Sequence, residues 1–201
     1  MDASTVLTLS LKPPAELAEE DRALVAAAQK DPNAAGQLFD KHYQEIFRYL
    51  YHSTQDRTVT EDLTSNVFFS AFRRLRFFRW RRVPFRAWLY RIATNELRMH
   101  YRRQKRRQAA HAGQVDADYP SAAPDAGVEL AVLDDWRRLH GALLELGQKY
   151  RTVIVLRYFE DKSLSEISEI TNKREGTIKS LLHRGILQLK ESLARAGVAL
   201  R

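Results

Sequence analysis

Residues 163–185 read SLSEISEITNKREGTIKSLLHRG, and this stretch predicts two helices joined by a tight turn. Ser163 and Glu166 have the spacing of a capping box, in which the hydroxyl and the carboxylate each satisfy a free backbone N–H group. Asn172 lies in the turn, where a left-handed residue is needed and where Asn tolerates that conformation. The pattern predicts a helix-turn-helix, whose second helix can enter the major groove of DNA.

The second of these helices has two chemically different faces. Ile178, Leu181 and Leu182 are predicted to point inward, whereas the outer face carries hydrogen-bond donors and acceptors that can reach phosphates and base edges. An ordinary helical hairpin with a solvated outer face is the alternative interpretation. The outer residues are Lys173, Arg174, Glu175, Thr177, Lys179, Ser180, His183 and Arg184.

A strongly basic block lies earlier in the chain, where residues 73–107 contain fourteen Arg or Lys residues and a single acid, Glu96. Fixed cations attract nucleic-acid phosphates by counterion release, and aromatic rings offer stacking faces to unpaired bases. Trp88 and Ile92, one helical turn apart, are interpreted as core residues. The block predicts contact with opened as well as duplex nucleic acid. Its interspersed aromatic residues are Phe77, Phe78, Trp80, Phe85, Trp88, Tyr90 and Tyr101.

The composition restricts the class of protein. The 201 residues allow one domain or two small ones, and the net charge of +8 favours nucleic acid as a partner over an acidic membrane surface. No apolar run is long enough to insert in a membrane, and Met1 to Leu11 lack the features of a signal peptide. Without cysteine, disulfides and thiolate chemistry are excluded. We expect a cytoplasmic, nucleoid-associated protein.

Helical periodicity and charge divide the chain into segments. We predict a tail over 1–20, a helical domain over 21–107, a flexible acidic linker over 108–128 and a second helical domain over 129–201. In the first domain, Asp31-Pro32 separates two helices, Thr60 begins a third, and a fourth covers about 85–103. Residues 77–84 are predicted to form a basic, aromatic loop. The predicted fold is all-α, although residues 153–155 alone could be read as a strand.

The chain resembles bacterial sigma factors of the extracytoplasmic function group over about residues 21–103 and 130–195. In the first half the resemblance lies in the segments around Glu61-Asp62-Leu63 and in residues 85–95, FRAWLYRIATN. In the second half it lies in residues 151–160, RTVIVLRYFE, and in Glu175-Gly176-Thr177-Ile178-Lys179-Ser180. The resemblance implies that the first domain is a region 2-like helical bundle and that the second is a region 4-like helix-turn-helix domain.

The resemblance also implies partners. The protein would bind core RNA polymerase through its beta and beta-prime subunits, direct it to promoter DNA and help to open the strands. An anti-sigma factor is a further partner that the resemblance allows. The implied polymerase-binding residues lie on the third helix and are Asp62, Leu63, Asn66, Val67 and Phe69.

Two promoter elements would be recognised by different halves of the chain. The outer face of the helix-turn-helix would read the −35 element as duplex, and the basic block would hold the melted −10 element, with a flipped base captured by the loop after the third helix. The implied −10 residues are Arg76, Phe78, Arg79, Trp80, Arg81, Arg82, Trp88, Asn95, Arg98, Tyr101, Arg102 and Arg103.

Other functions stay open at this point. A stand-alone helix-turn-helix regulator would explain the second half of the chain but not the first. A nucleic-acid enzyme is disfavoured because the chain has no Gly-rich phosphate loop, no H-E-x-x-H sequence and no Cys/His metal set. A pure interaction module is the third option. We therefore expect a transcription factor that is not an enzyme and that has no catalytic residue, cofactor or metal.

Overall fold

The computed structural model describes residues 14–80, 83–110 and 130–196. The first half contains α1 (Pro14–Lys30), a 3₁₀ turn (Pro32–Ala34), α2 (Ala35–Thr54), α3 (Arg57–Leu75) and α4 (Phe85–Ala110). The second half contains α5 (Leu130–Glu145), α6 (Gln148–Ile154), a π-helical turn (Val155–Phe159), α7 (Leu164–Thr171) and α8 (Glu175–Arg195). These residues contain no β-strand, which confirms the all-α prediction; residues 153–155 are helical.

The boundary between α1 and α2 is where the sequence predicts it. The side chain of Asp31 accepts a hydrogen bond from the backbone N–H of Asn33 at 2.9 Å, and Pro32 begins the 3₁₀ turn. The start of α1 differs, because the helix begins at Pro14 and not after residue 20. Proline suits the first turn of a helix, so Pro14 allows the helix to start within the predicted tail.

The start of α3 is one turn earlier than predicted. Asp56, and not Thr60, is the N-cap, and its carboxylate accepts a hydrogen bond from the N–H of Val59 at 2.9 Å. Thr60 is buried, and its hydroxyl donates to the carbonyl oxygen of Asp56 at 2.6 Å. The end of α4 also differs: the helix continues past Arg103 to Ala110, since the Gln, Lys, Arg and Ala residues there favour a helix.

The core of the first half is built from one stripe on each helix. Buried apolar residues recur at helical spacing, so each helix turns one face inward and leaves its polar face in solvent. Among the buried residues are Leu38, Ile46 and Leu50 of α2, Val67, Ala71 and Leu75 of α3, and Phe85, Leu89, Ile92 and Leu97 of α4.

The second half packs α8 closely against α6. Gly185 of α8 is buried there, and a Cβ atom at this position would lie 2.9 Å from Cδ1 of Ile154 and 3.1 Å from Cβ of Tyr150. Arg151, also on α6, is buried and donates to the carbonyl oxygens of Leu143 and Leu146 near the end of α5. Gly185 therefore allows α8 to lie close to α6, and Arg151 holds the end of α5 against α6.

The two halves share one continuous hydrophobic core in the described residues. The N-terminal bundle contacts the C-terminal bundle through α4, which packs on α7, and through α2, which packs on the π-helical turn. None of the described helices has the length and apolar character needed to cross a membrane.

Candidate nucleic-acid interface

The helix-turn-helix is held together by short-range hydrogen bonds. Ser163 accepts from the N–H of Glu166 at 3.2 Å, and the carboxylate of Glu166 accepts from the N–H of Ser163 at 2.8 Å, which completes the predicted capping box. Asn172 ends α7 with φ of 54°, the left-handed conformation expected of it. The hydroxyl of Ser168 then donates to the carbonyl oxygen of Lys173 at 2.6 Å. These contacts set the angle at which α8 leaves the turn.

All eight residues predicted to read the −35 element are exposed. Ile178 and Leu182 of α8 are buried against the domain, so the opposite side of the helix is left free for other contacts. The turn and the first three turns of α8 carry the exposed set: Lys173, Arg174, Glu175, Thr177, Lys179, Ser180, His183 and Arg184.

The polymerase-binding set on α3 divides into two groups. Leu63 and Val67 are buried in the core, with 6% and 0% exposure, so they offer little surface to a partner in this arrangement. Asp62, Asn66 and Phe69 lie at helical spacing and are exposed. Phe69 is 62% exposed, and the guanidinium of Arg73 lies 5.6 Å from its ring centroid.

The loop after α3 is anchored by aromatic packing. Phe78 is only 8% exposed and lies between Phe85 and Trp88, with ring centroids at 5.6 and 4.9 Å. Its ring faces are covered by these neighbours, so its predicted contact with DNA does not fit this arrangement. Trp80 is half-buried, and Arg22 of α1 lies over its ring. The neighbouring predicted residues Arg81 and Arg82 lie outside the described residues.

The remaining residues predicted to contact the −10 element are mostly exposed. Arg76 and Arg79 are exposed in the loop, and Arg79 donates to the carbonyl oxygens of Arg76 and Phe78. Trp88 is half-buried against Phe78, as its core interpretation implies. On α4 the exposed side chains are Asn95, Arg98, Arg102 and Arg103.

Family models match both halves of the chain. The model described as Sigma-70 region 2 matches residues 38–107, and the model described as Sigma-70, region 4, matches residues 136–189. The ECF RNA polymerase sigma factor SigW of Bacillus subtilis is 33% identical over 174 residues, which cover 81% of this chain and 90% of SigW. The chain belongs to the ECF group of sigma factors.

Further relatives agree with this assignment. The ECF RNA polymerase sigma factor BldN of Streptomyces coelicolor is 30% identical over 177 residues, which cover 85% of this chain but only 64% of BldN. CnrH, solved in complex with the cytosolic domain of CnrY, has a TM-score of 0.63 and 27% identity, and the match covers 87% of this chain and 97% of CnrH. RpoE of Bartonella quintana, solved with the anti-sigma factor NepR, shares the fold at 21% identity, with a TM-score of 0.64, 79% of this chain and 96% of RpoE covered.

Members of the ECF group are transcription initiation factors and not enzymes, and the stand-alone regulator is not favoured. In the residues that the structure describes, no group of three or more His, Cys, Asp or Glu side chains could hold a metal ion.

The two sigma regions of this ECF factor are joined by buried polar contacts that sequence reasoning missed. The carboxylate of Glu160 is fully buried and accepts hydrogen bonds from Nε and Nη2 of Arg48, both at 3.0 Å, and from the hydroxyl of Tyr90 at 2.9 Å. Burial, together with the nearby carboxylates of Glu45 and Glu160, raises the pKa of Tyr90, so it stays a donor. In the sequence, Glu160 stands out only as the last residue of the segment 151–160 that resembles the family, and nothing there indicates its partners.

A second contact between the regions involves a predicted DNA-binding residue. The hydroxyl of Tyr101 donates to the carbonyl oxygen of Ser53 at 2.6 Å, and Nη1 of Arg151 donates to the Tyr101 hydroxyl at 2.7 Å. The Arg151 guanidinium also lies 4.9 Å from the centroid of the Tyr101 ring. Tyr101 therefore joins region 2 to region 4 in this arrangement, in which its ring is already in contact with protein.

A buried ionic network connects α1, α2 and α4 within region 2. His42 contacts the carboxylates of Asp21 at 3.1 Å and Glu45 at 2.7 Å, and Arg86 donates to Glu45 at 2.5 Å. Burial opposes the charge on His42, but the hydrogen bonds to Asp21 and Glu45 outweigh it and raise the pKa of this imidazole. The acids that hold His42 are thus structural and keep the helices of region 2 in register.

Proposed function

We propose that this ECF factor binds core RNA polymerase through the beta and beta-prime subunits, brings it to promoters with a −35 and a −10 element, and stabilises the melted strand. The observation that carries the proposal is the helix-turn-helix itself, whose eight predicted DNA-reading residues are all exposed while Ile178 and Leu182 hold the helix from the other side. A cytoplasmic location at the nucleoid follows from this role.

The −35 element would be bound as duplex by the first turns of α8. Lys179 and Arg184 are exposed and offer cations to the phosphates or base edges. Lys179→Ala and Arg184→Ala should each weaken duplex binding and, where a phosphate contact is lost, reduce the salt dependence of binding by a slope of about 1. Binding to the polymerase should be unchanged in both variants.

The −10 element would be bound by the loop and by α4. The loop offers Arg76, Arg79 and Trp80, while α4 offers Asn95, Arg98, Arg102 and Arg103. Stacking of an unpaired base on an aromatic ring contributes about 1–3 kcal/mol. Trp80→Ala should therefore leave closed-complex formation nearly intact and reduce promoter opening. Weaker duplex binding with normal opening would show that the loop has another role.

Polymerase binding would use the exposed face of α3. Asp62, Asn66 and Phe69 form a mixed polar and aromatic surface next to the basic block. An anti-sigma factor would be a further partner, since the related RpoE was solved with the anti-sigma factor NepR and CnrH was solved with the cytosolic domain of CnrY.

In this structure α4 packs on α7 and α2 packs on the π-helical turn, and we call this the closed arrangement. It has to open for both promoter elements to be bound. Asn95 and Arg98 of region 2 and Lys173 of region 4 line one cavity between the halves. The names of the −35 and −10 elements place them about 25 base pairs apart, which is about 85 Å of B-form duplex at 3.4 Å per base pair. One compact body cannot contact both at once with these residues, so we expect polymerase binding to separate the regions.

The test is transcription from a promoter library by bacterial core RNA polymerase, with and without this protein. Start sites that share a two-part upstream element, and that occur only with the protein, would support the proposal and reveal the consensus. Salt-sensitive duplex binding by the protein alone, without any protein-dependent initiation, would instead support a stand-alone regulator.

A further inference from the structure

A cleft of about 460 Å³ lies between α4 of region 2 and the helices α6 and α7 of region 4, beside the packed junction. Its first wall is the middle of α4, from Arg91 to Arg98, and its second wall is formed by the start of α6 and by the turn between α7 and α8. This volume lies in the range of small-molecule sites in proteins, about 300–1,000 Å³. The cleft is therefore large enough for an organic ligand but too small for a DNA duplex.

The charge of the cleft is positive from both sides. Arg91 and Arg98 line it from α4, Lys149 from α6 and Lys173 from the helix-turn-helix, whereas no Asp or Glu is among the described residues that line it. Glu169 lies near Arg91 but is not part of the lining. Four cations around one small cavity repel one another unless an anion lies between them.

The hydrogen bonds at the walls leave donors for such an anion. Arg91 donates from Nε to the carbonyl oxygen of Glu169 at 2.5 Å, so its two terminal nitrogens can still donate to a ligand. Arg98 donates to Oδ1 of Asn95 at 2.9 Å, which orients the Asn95 amide and leaves its NH₂ group as a donor. Guanidinium groups held in this way match the oxygen atoms of phosphates.

The cleft also has an apolar part. Val153 of α6 and Ile170 of α7 line its floor with the small part of each that is exposed, 1% and 4%. Thr94, Thr152 and Thr171 line the cleft beside them, so a ligand with a flat ring would lie against all five side chains, a surface that a purely inorganic anion would not use. Apolar walls with a few convergent polar groups are typical of cofactor and nucleotide sites.

We propose that this cleft binds a nucleotide with two or more phosphates, and that the bound nucleotide holds regions 2 and 4 together. The phosphates lie between the cations of α4 and those of α6 and the turn, and the base lies against Val153 and Ile170. The ligand bridges the two regions because each of them supplies two of the four cations.

Such a ligand would oppose promoter binding. Asn95, Arg98 and Lys173 line the cleft and also belong to the residues that we propose to contact the −10 and −35 elements. A ligand that binds the closed form more tightly than the open form shifts the population toward the closed form, and by the same factor an open complex excludes the ligand. The site would thus make initiation respond to nucleotide concentration.

The first experiment is isothermal titration of the full chain with ATP. Lys149 lines the cleft but belongs to neither proposed promoter-contact set, so Lys149→Glu should weaken ATP binding by about tenfold or more, as expected for loss of one charge-assisted contact and gain of a repulsive charge. Lys30→Glu is the matched control, since it changes the net charge equally at the exposed end of α1. This variant should bind ATP as the wild type does.

Three outcomes would overturn the proposal. No binding of ATP to the wild type at millimolar concentration would exclude the site, and equal weakening by the two variants would show attraction by net charge alone. Inorganic triphosphate that binds as tightly as ATP would exclude the role of Val153 and Ile170. The titration involves neither polymerase nor promoter, so its failure would leave the proposed initiation function intact.

A further variant tests whether the chain fills the cleft by itself. The acids Asp116, Asp118 and Asp125 all lie in the sequence between the two regions. If the wild type fails to bind ATP while the variant with all three changed to Asn binds it, the occupant is the chain's own acidic segment and the nucleotide proposal is wrong. Equal ATP binding by the two proteins supports the proposal.

Discussion

The carboxylate of Glu160 is the point at which single residues decide how the two regions meet. This carboxylate is fully buried and pairs with Arg48, whose side chain is 53% exposed. It also accepts a hydrogen bond from the hydroxyl of Tyr90. Glu160→Ala leaves both donors without this acceptor. We expect a loss of about 3 kcal/mol in the free energy of unfolding, the lower end for one partner of a buried ion pair because Arg48 is half exposed.

Urea unfolding followed by tryptophan fluorescence measures this loss. Glu61→Ala is the control, since it removes the exposed pair between Arg57 and Glu61 and should cost less than about 0.5 kcal/mol. If the two variants were equally stable, Glu160 would not be the polar junction that its burial indicates.

Two histidines at the junction change the stability of the fold with pH in the direction opposite to that of His42. His52 and His140 have ring centroids 5.8 Å apart, and each has a buried ring nitrogen without a hydrogen-bond partner, Nδ1 of His52 and Nε2 of His140. Burial and the neighbouring His52 lower the pKa of His140 from 6.5 to about 4. Between these pH values the unfolded chain takes up a proton that the folded chain does not, so stability falls as pH falls through this window.

His140→Phe tests this pH dependence. Phenylalanine keeps a ring against Trp136 and Phe159 but binds no proton, so the unfolding free energy should depend less on pH between 6.5 and about 4. His42→Gln should change the other side of the profile. The raised pKa of His42 contributes stability that is complete below 6.5 and is lost as pH rises through the folded value. An unchanged acid slope in His140→Phe would contradict the assignment.

At the scale of elements, α8 carries two glycines with opposite roles. A Cβ atom at Gly185 would lie 3.1 Å from Cβ of Tyr150, which is fixed to the backbone and cannot move away cheaply. Gly185→Ala should therefore destabilise the protein by about 1–3 kcal/mol. A Cβ atom at Gly176 meets no atom within 4 Å, so Gly176→Ala should stabilise the helix by up to about 1 kcal/mol.

Thermal unfolding of the two alanine variants distinguishes packing from helix propensity. If propensity alone mattered, both substitutions would raise the melting temperature. Opposite shifts are expected here, because only Gly185 lies where α8 contacts α6.

The elements also show what the sequence could and could not predict. The capping box of Ser163 and Glu166 and the left-handed Asn172 were correct because each depends on atoms only a few residues away. The predicted start of α3 was wrong because Asp56 and Thr60 are both plausible caps. The structure uses Asp56, while the Thr60 hydroxyl makes a part-buried contact with the hydroxyl of Thr54. Local patterns do not contain that contact.

At the scale of the whole molecule, the closed arrangement should open in the initiation complex. The chain has no cysteine, so dyes can be attached specifically at Lys30→Cys on α1 and Lys190→Cys on α8. Energy transfer between them should fall when core polymerase and promoter DNA are added. Transfer that is unchanged in an active complex would show that the regions stay together and that promoter binding follows another geometry.

Sequence patterns are sufficient to predict the helices, the helix-turn-helix, the outward face of α8 and the concentration of charge in residues 73–107. Helical periodicity and capping involve residues within one or two helical turns of each other, so a short stretch of sequence is enough to predict them. Only the packing of the helices shows that Phe78 is a core residue, that Glu160 pairs with Arg48 across 112 residues, and that cations of both regions line one cleft. These features depend on how segments that are far apart in the sequence pack against each other, because a residue is buried or paired only by the residues on the other segment.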